Sequence, residues 1–321
     1  MNYRVLFLFV PSCLASCESG EPPVRHEPIV VYASYTDERY LPGLFAGFTD
    51  ETGIPVTVTH DVSEVHTRKL IFNIGSPPAD VFLSRSVADL WRAADEGALR
   101  PIVAANLVQV PAALRDLDGL WTAINYQQSV IAYRREADGP LPIGLVDLAD
   151  AVYKGRLCVS SAALPANRLI LAMMIADLGT KQAERAVRNW MQNLAAGPFE
   201  SDEELLTAID SGTCEFAIVS GWAAGSALQS QADLAIRVIR PQPAYTQIEG
   251  IGVARHSRYP DAAQQLVNWM LSETVNQQHA QMVNAIPVIG TTLAAEGGQV
   301  PAVAGWNNEE ARLLAERAGY R

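Results

Sequence analysis

The chain has 321 residues, more than one hydrophobic core usually supports, so about two folded units are expected. Hydrophobic residues make up 49% of it and charged residues 18%, a composition too apolar for a disordered protein. The formal net charge of -11 repels phosphate backbones and argues against nucleic-acid binding, although a local cationic pocket can exist within an acidic surface.

Residues 1–17 have the pattern of a lipoprotein signal peptide. Arg4 supplies a positive charge, an apolar run follows from Val5 to Val10, and small residues precede Cys17. The apolar run is shorter than the roughly 20 residues that cross a bilayer. We predict lipidation of Cys17 and a flexible tether at residues 18–28, with the lipid as the only membrane contact of a periplasmic protein. An ordinary secretory signal cleaved elsewhere is the alternative.

Export also determines how the remaining cysteines are interpreted. Cys13 is removed with the signal peptide and Cys17 takes the lipid, which leaves Cys158 and Cys214 in an oxidising compartment. Disulfides persist in such compartments, so we expect these two cysteines to be bridged. Two buried free thiols are the alternative.

The mature chain opens with short apolar runs that alternate with helical patterns. Strands are predicted at 29–32, 56–59 and 80–83, and helices at 40–51, 65–73 and 87–96. Strand, helix and strand at this spacing form a βαβ unit, which indicates a parallel sheet.

The second half of the chain predicts another α/β unit. Its strands are predicted at 130–133, 155–159 and 216–219, and its helices at 169–178, 182–194 and 203–211, before a later strand at 250–254 and helices at 261–271 and 309–318. The expected class is therefore α/β with two lobes. We place lobe 1 at 29–128 plus 246–290 and lobe 2 at 129–245 plus 291–321. Two such lobes with hinge crossovers can close a cleft around a small molecule.

Six segments carry the motifs of a known family. They are 45–56 (FAGFTDETGIPV), 76–82 (SPPADVF), 89–101 (DLWRAADEGALRP), 154–161 (KGRLCVSS), 212–219 (GTCEFAIV) and 311–319 (ARLLAERAG). Through them the chain resembles the periplasmic solute-binding proteins of ABC importers, in particular the ferric-iron-binding branch. Some members of that branch carry a disulfide between the matching cysteines. The resemblance implies a monomer without enzymatic activity or cofactor, which passes a small-molecule ligand to an ABC permease in the inner membrane.

The resemblance does not extend to the iron ligands. The adjacent tyrosines of the iron binders fall on Trp222 and Ala223, a third tyrosine falls on Pro165, and a carboxylate falls on Arg85. Phenolate oxygen suits Fe(III), whereas an indole offers a metal no lone pair. Tyr35 is the one candidate near the expected ligand of the first lobe. We therefore expect the tyrosine iron site to be missing.

The same positions suggest a different ligand, a small organic anion. The predicted ligand-binding residues are Tyr35, Arg85, Tyr126, Gln127, Gln128, Ser160, Ser161 and Trp222. Arginine offers a fork for carboxylate or phosphonate, tryptophan a flat apolar wall, and the Ser160-Ser161 turn leads into a helix whose N-terminus favours an anion. Three alternatives stay open: Arg85 pairs with a surface acid while Trp222 lies in the core, Fe(III) or another metal is still bound, or the fold serves a ligand sensor.

One short segment contains a second candidate site. His60, Asp61, Glu64 and His66 could together bind a divalent metal ion, but a solvated loop that enters a helix explains them as well, with Asp61 or Ser63 as N-cap and His66 on the surface. We favour the loop and expect no metal there.

The sequence contains no G-x-S-x-G, H-E-x-x-H or P-loop motif, so an enzyme is not expected.

Overall fold

The computed structural model describes residues 27–34, 40–75, 78–231, 233–290, 305 and 307–321. The predicted signal peptide, Cys17 and Tyr35 lie outside these residues, so what is expected of them stays a prediction. Within the described residues, no helix is both long enough and apolar enough to cross a bilayer.

The regular elements of these residues alternate along the chain. The strands are β1 (Ile29–Ala33), β2 (Val56–His60), β3 (Val81–Ser84), β4 (Leu99–Arg100), β5 (Trp121–Gln128), β6 (Val130–Arg134), β7 (Leu157–Val159), β8 (Phe216–Val219), β9 (Ile236–Ile239), β10 (Thr246–Ala254) and β11 (Ile286–Pro287). The α-helices are α1 (Tyr40–Thr52), α2 (Ser63–Ile71), α3 (Val87–Asp95), α4 (Pro165–Leu178), α5 (Thr180–Asn193), α6 (Asp202–Asp210), α7 (Gly221–Ser230), α8 (Pro260–Met270), α9 (Glu273–Met282) and α10 (Asn308–Ala318).

The first sheet has the spatial order β11, β5, β10, β3, β1, β2, and β4 pairs with β10. β1 runs parallel to both β2 and β3, which confirms the predicted βαβ units. β1 is buried along its whole length, and this explains its uninterrupted apolar sequence. β10 runs antiparallel to β3 and β5, so the chain returns to this sheet after building the second one.

Gly250 of β10 allows the helix layer to lie close to the first sheet. A Cβ atom at this position would lie 2.5 Å from a Leu90 methyl carbon of α3 and 3.2 Å from the Thr122 carbonyl oxygen. Because the first of these distances is too short for real atoms, a side chain at this position would displace Leu90 from its contact with the sheet.

The second sheet has the order β7, β8, β6, β9 and divides two cores. Ile131 and Ile218 point to the large core that includes α4 and α5, while Ala132 and Ala217 point to a smaller cluster under α6. The smaller cluster contains the Cys158–Cys214 disulfide, whose Cα atoms are 5.9 Å apart. The predicted bridge is confirmed. α10 packs on α4 and α5.

Two chain segments pass between the sheets side by side. β5 continues into β6 through Ser129 alone, and β9 leads into β10. The Ser129 N–H donates to the Tyr245 carbonyl at 3.0 Å, and Gln247 Nε2 donates to Ser129 Oγ at 2.8 Å. Paired crossings of this kind permit hinge closure of two lobes.

Several elements differ from their predicted bounds. α4 begins at Pro165 instead of residue 169, and β10 begins at Thr246 instead of residue 250. β5, β9, α7 and α9 are not predicted by the sequence pattern. β5 (WTAINYQQ) is buried at every residue except the half-buried Gln127. Because several of its buried side chains are polar, the sequence lacks the apolar pattern from which a central strand is predicted. α7 contains two glycines, which disfavour a helix, and it lacks an apolar stripe, so the sequence pattern does not predict it.

Candidate functional site

Arg85 and Trp222, two of the predicted ligand-binding residues, lie in contact where the two lobes meet. Arg85 directly follows β3 and precedes Ser86, whose hydroxyl accepts a hydrogen bond from the third residue of α3. Trp222 is the second residue of α7, which Ser220 caps in the same way. The guanidinium carbon lies 5.1 Å from the centre of the indole ring, within the range of a cation–π interaction. The fold thus brings together a cation of one lobe and an aromatic ring of the other.

Both side chains are largely withdrawn from water. Trp222 is 8% exposed, and its indole N–H has no hydrogen-bond partner among the described residues. Burial lowers the pKa of Arg85, while the Tyr40 hydroxyl acts in the opposite direction through a hydrogen bond. Arginine stays protonated even so, because its ordinary pKa lies far above neutral pH. A permanent positive charge is therefore held in a partly dry environment.

A narrow pocket lies beside this contact, between the N-terminal ends of α3 and α4. Its space, including the part open to solvent, is about 290 Å3, and its lining residues are Arg85, Ser86, Val87, Ala88, Pro165, Arg168, Leu169 and Asn308. Arg168 was not predicted from the sequence. A basic residue one turn into a helix gives no signal by itself, because the residues that it faces belong to the other lobe.

The predicted residues at the end of β5 lie close to the start of α7. Tyr126 is fully buried, Gln128 is buried, and Gln127 donates through Nε2 to the Asn284 carbonyl. A Cβ atom on Gly221 would lie 2.5 Å from both Gln127 Oε1 and the Gln128 carbonyl oxygen. Only glycine permits this approach, which fixes Trp222 next to the crossing strand.

The two predicted serines begin the loop that enters α4. Ser160 is fully buried, donates from Oγ to Asp202 at 2.7 Å and accepts from the Asn167 side-chain amide at 2.9 Å. Ser161 is half-buried and accepts a hydrogen bond from the Ala163 N–H. The Ser160 hydroxyl is thus engaged inside the fold, while Ser161 lies nearer the surface. The role of both serines in ligand binding stays a prediction.

The segment from His60 to His66 differs from both of its interpretations. His66 is fully buried and stacks on Tyr32 with ring centres 4.4 Å apart, so the prediction that it lies on the surface is wrong. The N-cap of α2 is Val62, without a side-chain cap, and not Asp61 or Ser63. Desolvation lowers the pKa of His66 to about 4. In the part of the chain that the structure describes, no three His, Cys, Asp or Glu side chains converge as a metal site would require.

Comparison with known proteins places this architecture in a family. Residues 32–277 match the family model described as bacterial extracellular solute-binding protein. The chain belongs to this family. It is 27% identical over 297 residues to iron uptake protein A1 of Synechocystis, a match that covers 86% of this chain and 81% of that protein. It is also 24% identical over 255 residues to the Fe(3+)-binding periplasmic protein of Serratia marcescens, covering 75% of this chain and 73% of that protein.

Solved structures agree on the architecture. A Trichodesmium protein in complex with iron and citrate superposes with a TM-score of 0.82 at 22% identity, covering 92% of this chain and all of that one. The predicted two-lobed periplasmic-binding-protein fold is confirmed. The chain is thus a solute-binding protein, and one of its relatives is named as a periplasmic protein that binds Fe(3+).

Proposed function

We propose that this solute-binding protein carries a small organic anion to an ABC permease. The contact between Arg85 and Trp222 is the observation that supports the proposal most directly. A permanent cation that lies where two lobes meet attracts an anion and repels Fe(III). The ring beside it offers an apolar surface for the rest of an organic ligand.

Iron binding is the second candidate, and the names of the relatives favour it. Synechocystis and Serratia proteins that resemble this chain are named for iron, and the Trichodesmium structure holds iron together with citrate. Direct coordination of Fe(III) needs hard oxygen donors such as phenolates. At the positions that we align with the adjacent tyrosines stand Trp222 and Ala223, which supply none. An iron–anion complex held through its anion is the form of this candidate that suits Arg85 best.

Calorimetric titration of protein purified without refolding tests the ligand class. We expect binding of small carboxylates or phosphonates by the wild type and at least a tenfold loss in Arg85→Gln, since a charge-assisted hydrogen bond contributes about 1.5–3 kcal/mol. Arg237 is exposed on β9. Arg237→Gln changes the net charge by the same amount and should bind like the wild type.

Spectroscopy separates the two candidates. Tight binding of Fe(III) with a phenolate-to-metal absorption band, and no response to organic anions, would overturn the proposal. Binding of ferric citrate that requires Arg85, without such a band, would support the iron–anion form.

The membrane attachment is tested separately from the ligand. The lipobox-like sequence before Cys17 supports lipidation of that residue. Cys17→Ser is then expected to move the protein from the membrane fraction to the soluble fraction of cells. An unchanged distribution would argue for an ordinary secretory signal.

A further inference from the structure

The pocket between α3 and α4 holds a second cation opposite Arg85. Arg168 lies in the first turns of α4 and lines the same narrow space as Arg85, which comes from the other lobe. The side chain of Arg168 makes no hydrogen bond or ion pair within the described residues, and its Nε is buried without a partner. Arg168 is half-buried as a whole, but its Nε–H has lost water without gaining an acceptor, which is costly.

The surroundings of the pocket increase this positive charge. None of the described residues that line it is an aspartate or a glutamate. Two helices also present their N-terminal ends to it, through Ser86 and Val87 of α3 and through Pro165 of α4. The N-terminus of a helix carries a partial positive charge, so cations are normally disfavoured there. In a chain of net charge -11, two arginines at two helix N-termini concentrate positive charge in one place.

We propose that Arg85 and Arg168 form a clamp that selects ligands carrying two negative charges, as one phosphonate or phosphate group or as two carboxylates. The inference rests on the proposed function and names the class of its ligand. A dianion offers one charge to each lobe, so its binding holds the lobes together, whereas a monoanion offers its charge to only one of the two arginines. Arg168 is thus a specificity-determining residue of the second lobe.

Matched ligands test the clamp by isothermal titration at constant ionic strength. Succinate is compared with its monoamide, which has nearly the same shape and one charge fewer, and methylphosphonate is compared with acetate at an alkaline pH at which the phosphonate carries both of its negative charges. We expect the wild type to bind at least one dianion about tenfold or more tightly than its monoanionic counterpart. Preference for methylphosphonate indicates a phosphonate or phosphate ligand, and preference for succinate indicates a dicarboxylate.

Variants assign the preference to Arg168. Arg168→Gln should lose about tenfold affinity for the dianion and less than about threefold for the monoanion, so that the preference disappears. Arg168→Lys keeps the charge and should keep the preference, Arg237→Gln should behave like the wild type, and circular dichroism checks that each variant is folded. Anion binding that ignores the second charge, or a preference unchanged in Arg168→Gln, would overturn the clamp and leave the proposed function intact. Failure of the wild type to bind any of the four anions would overturn both.

Discussion

The two sheets are stabilised by different kinds of bonds. The first encloses buried ionisable groups: Asp80 is 2% exposed, His66 is fully buried, and the buried Glu249 accepts a hydrogen bond from the side-chain amide of Asn125. The second faces the large core on the side of α4 and α5, and on its other side it has a smaller core under α6 that contains the Cys158–Cys214 disulfide. The stability of the first lobe should therefore depend on pH, and that of the second on the redox state.

The size of the cores gives a reason for this difference. A seven-stranded sheet with helices packed against it buries enough apolar surface to accommodate some costly polar groups. The small cluster under α6 consists of short side chains such as Ala208, Ala217 and Ala224, together with Leu205 and Ile209. A small core gains more from a covalent link that restricts the unfolded chain.

Removal of the disulfide is expected to have the largest effect. The bridge joins residues 56 positions apart, and closure of a loop of that length restricts the unfolded chain by about 4 kcal/mol. The variant Cys158→Ala with Cys214→Ala should unfold at a lower urea concentration by an amount that corresponds to this loss. Hydrogen exchange should show the loss of protection in β6 to β9 and not in β1 to β3. Equal loss in both sheets would mean that the lobes unfold as one unit and that the comparison does not hold.

Acid should destabilise the first lobe through His66. Its pKa falls from an ordinary 6.5 to about 4 in the folded protein, mainly because burial disfavours the charged ring, with Lys69 adding to the effect. The unfolded chain therefore binds a proton between these values that the folded chain does not. Stability is complete above about pH 6.5 and decreases by up to about 3 kcal/mol as the pH falls to about 4.

The variant His66→Phe keeps a ring against Tyr32 and removes the titrating group. Its free energy of unfolding should vary less between pH 6.5 and 4 than that of the wild type, as measured by urea titration at several pH values. His256 is exposed, and His256→Phe serves as the control that should retain the wild-type profile. Identical profiles for His66→Phe and the wild type would show that other groups cause the acid sensitivity.

The sequence predicted the fold where apolar patterns are strong. The βαβ order of the first sheet follows from continuous apolar strands and periodic helices, and the disulfide follows from the count of cysteines after export. Trp222 and Arg85 were expected near the ligand from the family alignment. Their contact in the structure adds a physical reason for this expectation.

What the sequence did not predict depends on residues distant along the chain. His66 is buried because Tyr32 of β1 packs on its ring, and the two residues are far apart in sequence. Arg168 lines a pocket with Arg85 only because α3 of the other lobe faces α4. The local sequence pattern cannot predict such contacts, since it indicates which positions of an element are buried and not which distant residues pack against them.

Substitution of Asp80 in the first lobe is expected to cause the next largest loss of stability. Its Oδ2 accepts from the Val30 N–H at 2.8 Å, and its Oδ1 accepts from the Ser257 hydroxyl and from the backbone N–H groups of Arg258 and Tyr259. Asp80→Asn replaces an acceptor oxygen by an NH2 group that faces donors, which should cost about 2–3 kcal/mol. Thermal or urea unfolding measures this loss. The exposed Asp95 at the end of α3 offers Asp95→Asn as a control that should change stability by less than about 0.5 kcal/mol.

Asp202 corresponds in the second lobe to Asp80 in the first, because its carboxylate also joins separate segments of its lobe. Its Oδ1 accepts from Ser160 Oγ at 2.7 Å and its Oδ2 from the Ser220 N–H at 2.8 Å, so it links the end of β7 to the start of α7. Because Asp202 is only half-buried and accepts two hydrogen bonds instead of four, Asp202→Asn should cost about 1 kcal/mol.

Glu203 is exposed in the same first turn of α6, so Glu203→Gln removes the same favourable charge from the helix N-terminus without breaking the link. We expect Glu203→Gln to lose a few tenths of a kcal/mol. If urea unfolding gave equal losses for the two variants, the charge at the helix N-terminus alone would explain the contribution of Asp202, and its link between β7 and α7 would contribute nothing.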